Sequence, residues 1–154
     1  MRQLFRFFRH APDSEPAVQA RSPHPTSLNL MRWLVDGMNV IGTRPDAWWK
    51  DRDAAMLRLV DLLERWAAAE GEDVTVVFER PPRPPIRSTV IDVRHAPKPK
   101  ANAADDEIVR LLEADADPAA VGVVTSDRWL ADRATAVGAA VIGSQSFRAR
   151  LEQV

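Results

Sequence analysis

The sequence predicts an α/β fold: a mostly parallel sheet of about five strands with helices on both faces. Three observations carry this reading. From residue 31 onward, short apolar runs alternate with longer stretches of helical periodicity. Val74 to Phe78 reads as a buried strand, which suits a parallel sheet wrapped on both sides. The chain has 154 residues, 45% of them apolar and 28% charged, which suits one domain with its own core.

Arg32-Trp33-Leu34-Val35 is an apolar run ending at Asp36-Gly37, a strand followed by a turn. Residues 52–69 place Met56, Val60, Leu63 and Ala67 on one helical face, widened by Leu59 and Trp66, and Gly71 closes the helix. Val74 to Phe78 is a buried strand ending at Glu79. The following Pro-Pro-Arg-Pro-Pro-Ile-Arg suits neither a sheet nor a helix interior, and Thr89 to Val93 is expected as the third strand. Asn102 can cap a helix running to about Asp115, with Ile108, Leu111 and Leu112 toward the core. Val121 to Val124 is a fourth strand, ending at Thr125-Ser126-Asp127. A helix marked by Leu130, Ala134 and Val137 ends at Gly138, Ala140 to Ile142 is a fifth strand, and residues 145–152 make a closing helix.

Residues 1–30 differ. They hold four of the twelve prolines and show neither period, so a disordered tail is expected, with 31–154 as the folded domain. Leu4, Phe5, Phe7 and Phe8 offer a short amphipathic anchor as the alternative, although one short turn binds membranes poorly alone. Met31 stands directly before the first structured segment, which makes it a candidate natural start.

The composition excludes several chemistries. Cysteine is absent and the three histidines are scattered, which removes disulfide scaffolds, thiolate sites, cysteine nucleophiles and a His-rich zinc site. The net charge of −1 predicts no general affinity for polyanions, so any nucleic-acid site must arise from local clustering. No apolar run approaches the roughly 20 residues that span a bilayer. A soluble cytoplasmic protein is expected.

In a parallel sheet, ligands bind beyond the carboxyl ends of the strands. Asp36 ends the first strand and Asp127 follows the fourth. Singly, each has a structural reading, Asp36-Gly37 as a turn and Asp127 as a helix N-cap. Helical phase adds a third carboxylate. Asp105 lies three residues before Ile108, about 60° from the core face, whereas Asp106 points into solvent. Asp106 and Glu107 read as a solvated acidic start, with Asp106 able to reach a metal through water.

Three converging carboxylates repel one another, each pair by roughly 3 kcal/mol at about 5 Å and an effective dielectric near 20. Such a site needs a cation or raised pKa values. With only oxygen donors, hard Mg²⁺ or Mn²⁺ fits, and such an ion suits hydrolysis of a phosphodiester. The basic side comes from residues 80–100, where Arg80, Arg83, Arg87, Arg94, Lys98 and Lys100 stand against Asp92, a local charge of +5. A charge run is usually a solvated surface. Here it directly precedes the Asp105 helix, which makes it a candidate RNA phosphate track.

Trp33 through Gly42 with its Asp-Gly-Met-Asn, Val76 to Glu79, Ala104 to Ile108, and Val124-Thr125-Ser126-Asp127 together resemble the NYN domain. Within it, their order and spacing are similar to the YacP-like branch of the PIN-like ribonuclease superfamily. The similarity covers about residues 31–153. It implies a PIN-like α/β fold and metal-dependent endoribonuclease activity, with RNA as partner and the ribosome as a candidate second one. It also implies that Asp36, Asp105 and Asp127 are the metal-binding acids and that Asn39 lines the same catalytic pocket. Asn39 would bring an oxygen for a hard cation or an amide for a phosphate; a cap or turn role is the alternative. Family members often carry Asp after the second strand and Tyr before the asparagine, where this chain has Glu79 and Met38. Glu79 is then a possible outer ligand, and Trp48 or Trp49 could supply the stacking ring lost at Met38, unless they pack under their loop.

Other readings fare worse. A non-catalytic RNA-binding module of the same fold would keep the basic segment and lose acids, yet all three are present. A haloacid-dehalogenase-like phosphatase needs a second Asp where Met38 stands, and no Gly-rich loop with a GKS or GKT ending is present. The sequence leaves the RNA substrate and the oligomeric state open.

Overall fold

A computed structural model describes residues 31–154. The expectations for residues 1–30 lie outside the described residues. Five parallel strands, β1 (Arg32–Asp36), β2 (Asp73–Phe78), β3 (Asp92–His95), β4 (Val121–Val124) and β5 (Ala140–Ile142), form one sheet in the order β3-β2-β1-β4-β5. The helices are α1 (Gly37–Ile41), α2 (Arg52–Glu70), α3 (Ala103–Ala114), α4 (Arg128–Ala136) and α5 (Ser144–Leu151). The chain builds outward from β1 to β3, then returns to add β4 and β5 on the other side of β1. The order therefore reverses between β1 and β4, where a crevice opens beyond their carboxyl ends.

Strand parity distributes the core between the two faces. Trp33, Val35, Val74, Val76 and Phe78 pack with Met56, Leu59, Val60 and Leu63 of α2 and Phe147 and Leu151 of α5. On the opposite face, Val77, Val121 and Val123 pack with Ile108 and Leu112 of α3 and Leu130 and Ala134 of α4. Each such side chain contributes about 1.5–3 kcal/mol by leaving water. The six residues expected on the buried face of the long helix, Met56, Leu59, Val60, Leu63, Trp66 and Ala67, are all buried. Gly71 ends that helix in the left-handed region at φ 69°, where a side chain is strained. Gly122 has a different duty. A Cβ there would lie 2.7 Å from the Trp33 ring, so the glycine makes room for the indole that also meets Trp66 and Phe147.

Two elements differ from expectation. The third strand is Asp92–His95 rather than Thr89–Val93, with Val90 exposed and Ile91 buried ahead of it. The Ser88 hydroxyl accepts from the backbone N–H groups of Val90 and Ile91, both at 3.0 Å, and donates to Glu64 at 2.6 Å. It thereby offers those N–H groups a local partner in place of a ladder. Glu107, expected in solvent, is buried and held by the Arg110 guanidinium at 2.6 and 2.9 Å. The Ala96–Lys98 segment after β3 lines a groove with Glu107 and Arg110, a neighbour that helical phase alone does not reveal.

Candidate active site

Asp36 shares strand parity with Leu34, which packs on the face covered by α3 and α4. Parity thus aims the last residue of β1 at the helix that carries Asp105. The backbone can turn away immediately because Gly37 has no side chain; a Cβ there would stand 2.5 Å from the Phe78 ring. What reads in the sequence as a turn is the one-turn helix α1, with Asp36 at its N-cap position but making no side-chain cap bond. Its carboxylate accepts instead from the Thr125 hydroxyl at 3.0 Å, across the β1/β4 switch point.

Asp36 and Asp105 are 5% and 7% exposed, so both acids are held away from bulk water. Burial pushes Asp36 up to about 7, with the charge of Asp105 adding to it against the Thr125 hydroxyl and the Asn39 backbone N–H. Burial likewise raises Asp105 to about 6, followed by the charge of Asp127, while a hydrogen bond with Asp36 draws it down. Two carboxyl groups in contact in a site of low polarity retain a proton between them toward neutral pH.

Asp127 combines both readings of the sequence. Its carboxylate caps α4 by accepting from the Leu130 N–H at 2.9 Å, and its charge acts on both Asp36 and Asp105. The structure therefore gathers the three principal acids at one crevice. An adjoining cleft of about 390 Å³ is lined by Lys100, Asn102, Asp105, Asp106, Asp127 and Trp129. Asp106 is exposed, as expected, and pairs with Lys100 at 3.7 Å. Glu79 accepts from the Asn102 N–H at 3.3 Å and so ties the end of β2 to the start of α3. Asn102 itself starts α3 in the left-handed region, without the side-chain cap expected of it.

Asn39 serves as a clasp. Its Oδ1 accepts from the Ser126 N–H at 2.8 Å and from the Ser144 hydroxyl at 2.6 Å, joining α1 to the loop after β4 and to α5. With both lone pairs engaged, the amide nitrogen is the part left for a ligand. Thr125, Ser126 and Ser144 complete this scaffold, Ser126 Oγ accepting from the Ser144 N–H at 2.9 Å. Sequence reasoning gave none of the three a role. Thr125 and Ser126 directly precede Asp127, a visible signal, whereas Ser144 looks like any helix-starting serine until the fold brings it to Asn39.

The basic segment divides. Lys100 lines the acidic cleft, and Lys98 lies in the neighbouring groove with Arg110, which the sequence reading did not single out. Arg80 pairs with Asp53 at 2.8 Å. Arg83 and Arg87 line a different groove with Asp51, Asp53 and Leu57. Arg94 pairs with Asp92 at 2.7 Å and lines a cleft with Arg32, Asp73 and Val121, at the opposite ends of the strands. Trp48 packs partly buried against the core, and Trp49 is exposed.

Among the described residues, no group of three or more His, Cys, Asp or Glu side chains is arranged to hold a metal ion. The donors nevertheless suit a hydrated divalent cation. Mg²⁺ commonly takes one or two carboxylates with water completing its shell, and two buried, mutually repelling acids are what a dication would relieve. Among the same residues, no helix is long and apolar enough to cross a membrane.

The YacP-like NYN domain family matches residues 33–154. The crystal structure of Rae1 (YacP) from Bacillus subtilis superimposes with a TM-score of 0.67 at 22% identity, covering 80% of this chain and 75% of that one. Its W164L mutant gives 0.63 at the same identity, covering 80% and 76%. At such identity the likeness shows the fold. No curated protein matches the sequence. The match across residues 33–154 places the chain in the YacP-like NYN domain family, whose domains are of ribonuclease type.

Proposed function

We propose that the protein is a metal-dependent endoribonuclease that hydrolyses RNA phosphodiester bonds at the β1/β4 switch point. The observation that carries this is the buried Asp36–Asp105 pair, whose two acids come from separate elements and lie within the field of Asp127. Asp36 and Asp105 would hold Mg²⁺ or Mn²⁺, with Asp127 beside them and Asp106 and Glu79 farther out. When bound, the ion supplies positive charge to the phosphate oxygens and acidifies a water. The chain's own residues do the rest. Thr125 and the Asn39 backbone fix the orientation of the Asp36 carboxylate, and the cap bond to Leu130 fixes that of Asp127. The Asn39 clasp holds the loop that carries Thr125 and Asp127 and ties the segments after β1, β4 and β5 together. Lys100 places a cation on the cleft wall, where a phosphodiester can meet it despite the acids.

The test is internal cleavage of a labelled single-stranded RNA by the purified protein with Mg²⁺ or Mn²⁺ and with EDTA. Cleavage in either ion, lost in EDTA and in Asp36→Asn and Asp105→Asn, is the expected result. RNA binding without cleavage under any divalent ion would leave the non-catalytic RNA-binding module. That alternative draws on the absence of a ready three-carboxylate cage among the described residues.

A further inference from the structure

The acidic cleft has an aromatic wall that phosphodiester hydrolysis does not by itself require. Trp129, the second residue of α4, lines the cleft with Lys100, Asn102, Asp105 and Asp127. It is 44% exposed, whereas Trp33 and Trp66 are buried in the core. A single exposed aromatic on a protein surface needs no explanation. This one differs in its place and in its neighbour. The guanidinium of Arg133, one helical turn later, lies over the ring at 4.8 Å from its centroid. It covers part of the indole. The helix itself is pinned at its start by Asp127, one of the three acids, so the ring and that acid are mounted on one element.

We propose that Trp129 is a stacking platform for an unpaired nucleobase, so that the site takes single-stranded RNA and rejects intact duplex. The proposal rests on the ribonuclease reading above and specifies its substrate class. A base in a duplex has both faces occupied by its neighbours, whereas an unpaired base can lay one face on an indole. The charges around the ring suit this placement. Lys100 lines the same cleft, and Lys98 and Arg110 line the groove that adjoins it through Lys100 and Asp106. A strand whose base rests on Trp129 can run its phosphates toward these cations, with one phosphodiester beside the acids. Every base presents a π-face, so the platform favours single strands over duplex without strong preference among bases.

The experiment measures equilibrium binding of a fluorescently labelled ribo-oligonucleotide of about ten nucleotides, alone or annealed to its complement. The full chain is used in EDTA, where neither an ion nor cleavage enters. Trp129→Ala should weaken single-strand binding by about fivefold to a hundredfold, equivalent to about 1–3 kcal/mol, and leave weak duplex binding unchanged. Trp129→Phe should recover most of the loss, and Trp129→Leu little of it. Val90→Ala, which alters an exposed apolar side chain elsewhere, should bind like the wild type. Melting temperatures show whether each variant is folded. Unchanged single-strand affinity in folded Trp129→Ala would overturn the proposal, as would an equal loss in Trp129→Leu and Trp129→Phe, or in Val90→Ala. If Trp129→Ala binds and cleaves normally while Asp105→Asn is inactive, the platform fails and the nuclease reading stands. A wild-type protein that binds single strands through Trp129 but never cleaves reverses that outcome.

Discussion

Removing the charge of Asp36 should make the metal-free protein more stable, and the gain should depend on pH. The folded protein raises this carboxyl from 3.8 to about 7, chiefly through burial. Below the lower value it is protonated whether the chain is folded or not, and the folded state incurs no cost. Between the two values the unfolded chain ionises while the folded one keeps its proton, so stability falls as pH rises through that window. The full difference corresponds to about 4 kcal/mol by mildly alkaline pH, a ceiling because Asp105 titrates with it. Asp36→Asn keeps an oxygen for the Thr125 hydroxyl and removes the ionisation. It should therefore melt higher than wild type by roughly 10 °C near pH 8, for a domain of this size, and match it near pH 4. The assay is thermal unfolding by circular dichroism in EDTA across that range. Adding Mn²⁺ should stabilise the wild type and narrow the gap, because the ion binds only the folded protein. A wild-type melting temperature that stays flat or rises between about pH 4 and 8, or an Asn variant that melts lower at the alkaline end, would refute the reasoning.

Gly37→Ala should cost about 1–3 kcal/mol and reduce RNA cleavage as well, because the new methyl meets Phe78 beside Asp36; unchanged melting and activity would show that the turn can relax. Asn39→Ala should lower stability by about 1–3 kcal/mol, since it leaves the buried Ser144 hydroxyl without its acceptor, and denaturant titration measures the loss. Replacing Lys98 and Lys100 by Ala should weaken RNA binding and flatten its salt dependence by roughly 0.7 log units for each phosphate that is no longer neutralised. The Arg83→Ala, Arg87→Ala pair, set in another groove, should leave that slope unchanged.

Elements whose sequence carries one clear period were legible in advance. Residues 52–69 show a 3.6-residue stripe, and every member of it is buried. The runs at Val74–Phe78 and Val121–Val124 are short and mostly apolar, and both are interior strands. The third strand was not legible by the same means, because Thr89-Val90-Ile91 has strand-forming residues and yet Ser88 takes two of its N–H groups. At the edge of a sheet, charged residues such as Arg94 and His95 are tolerated, so the observed strand carries no apolar signature. For the candidate site, strand ends and helical phase sufficed to bring Asp36, Asp105 and Asp127 together. Pairings across large sequence separations were beyond that reasoning. Asn39 meets Ser144 across 105 residues, and no local pattern marks either partner. The charge run at residues 80–100 was legible only as composition: the fold distributes its cations over several clefts, with Lys100 at the acids and Arg83 and Arg87 in another groove.

The central claim, that the Asp36–Asp105 pair is the divalent-cation centre of this domain, is tested most directly by anomalous diffraction from crystals soaked in Mn²⁺. The expected result is a peak in contact with the Asp36 and Asp105 carboxylates, beside Asp127, and absent from crystals of Asp105→Asn. A wild-type map without a peak at this pair, or a peak that persists unchanged in Asp105→Asn, would contradict it.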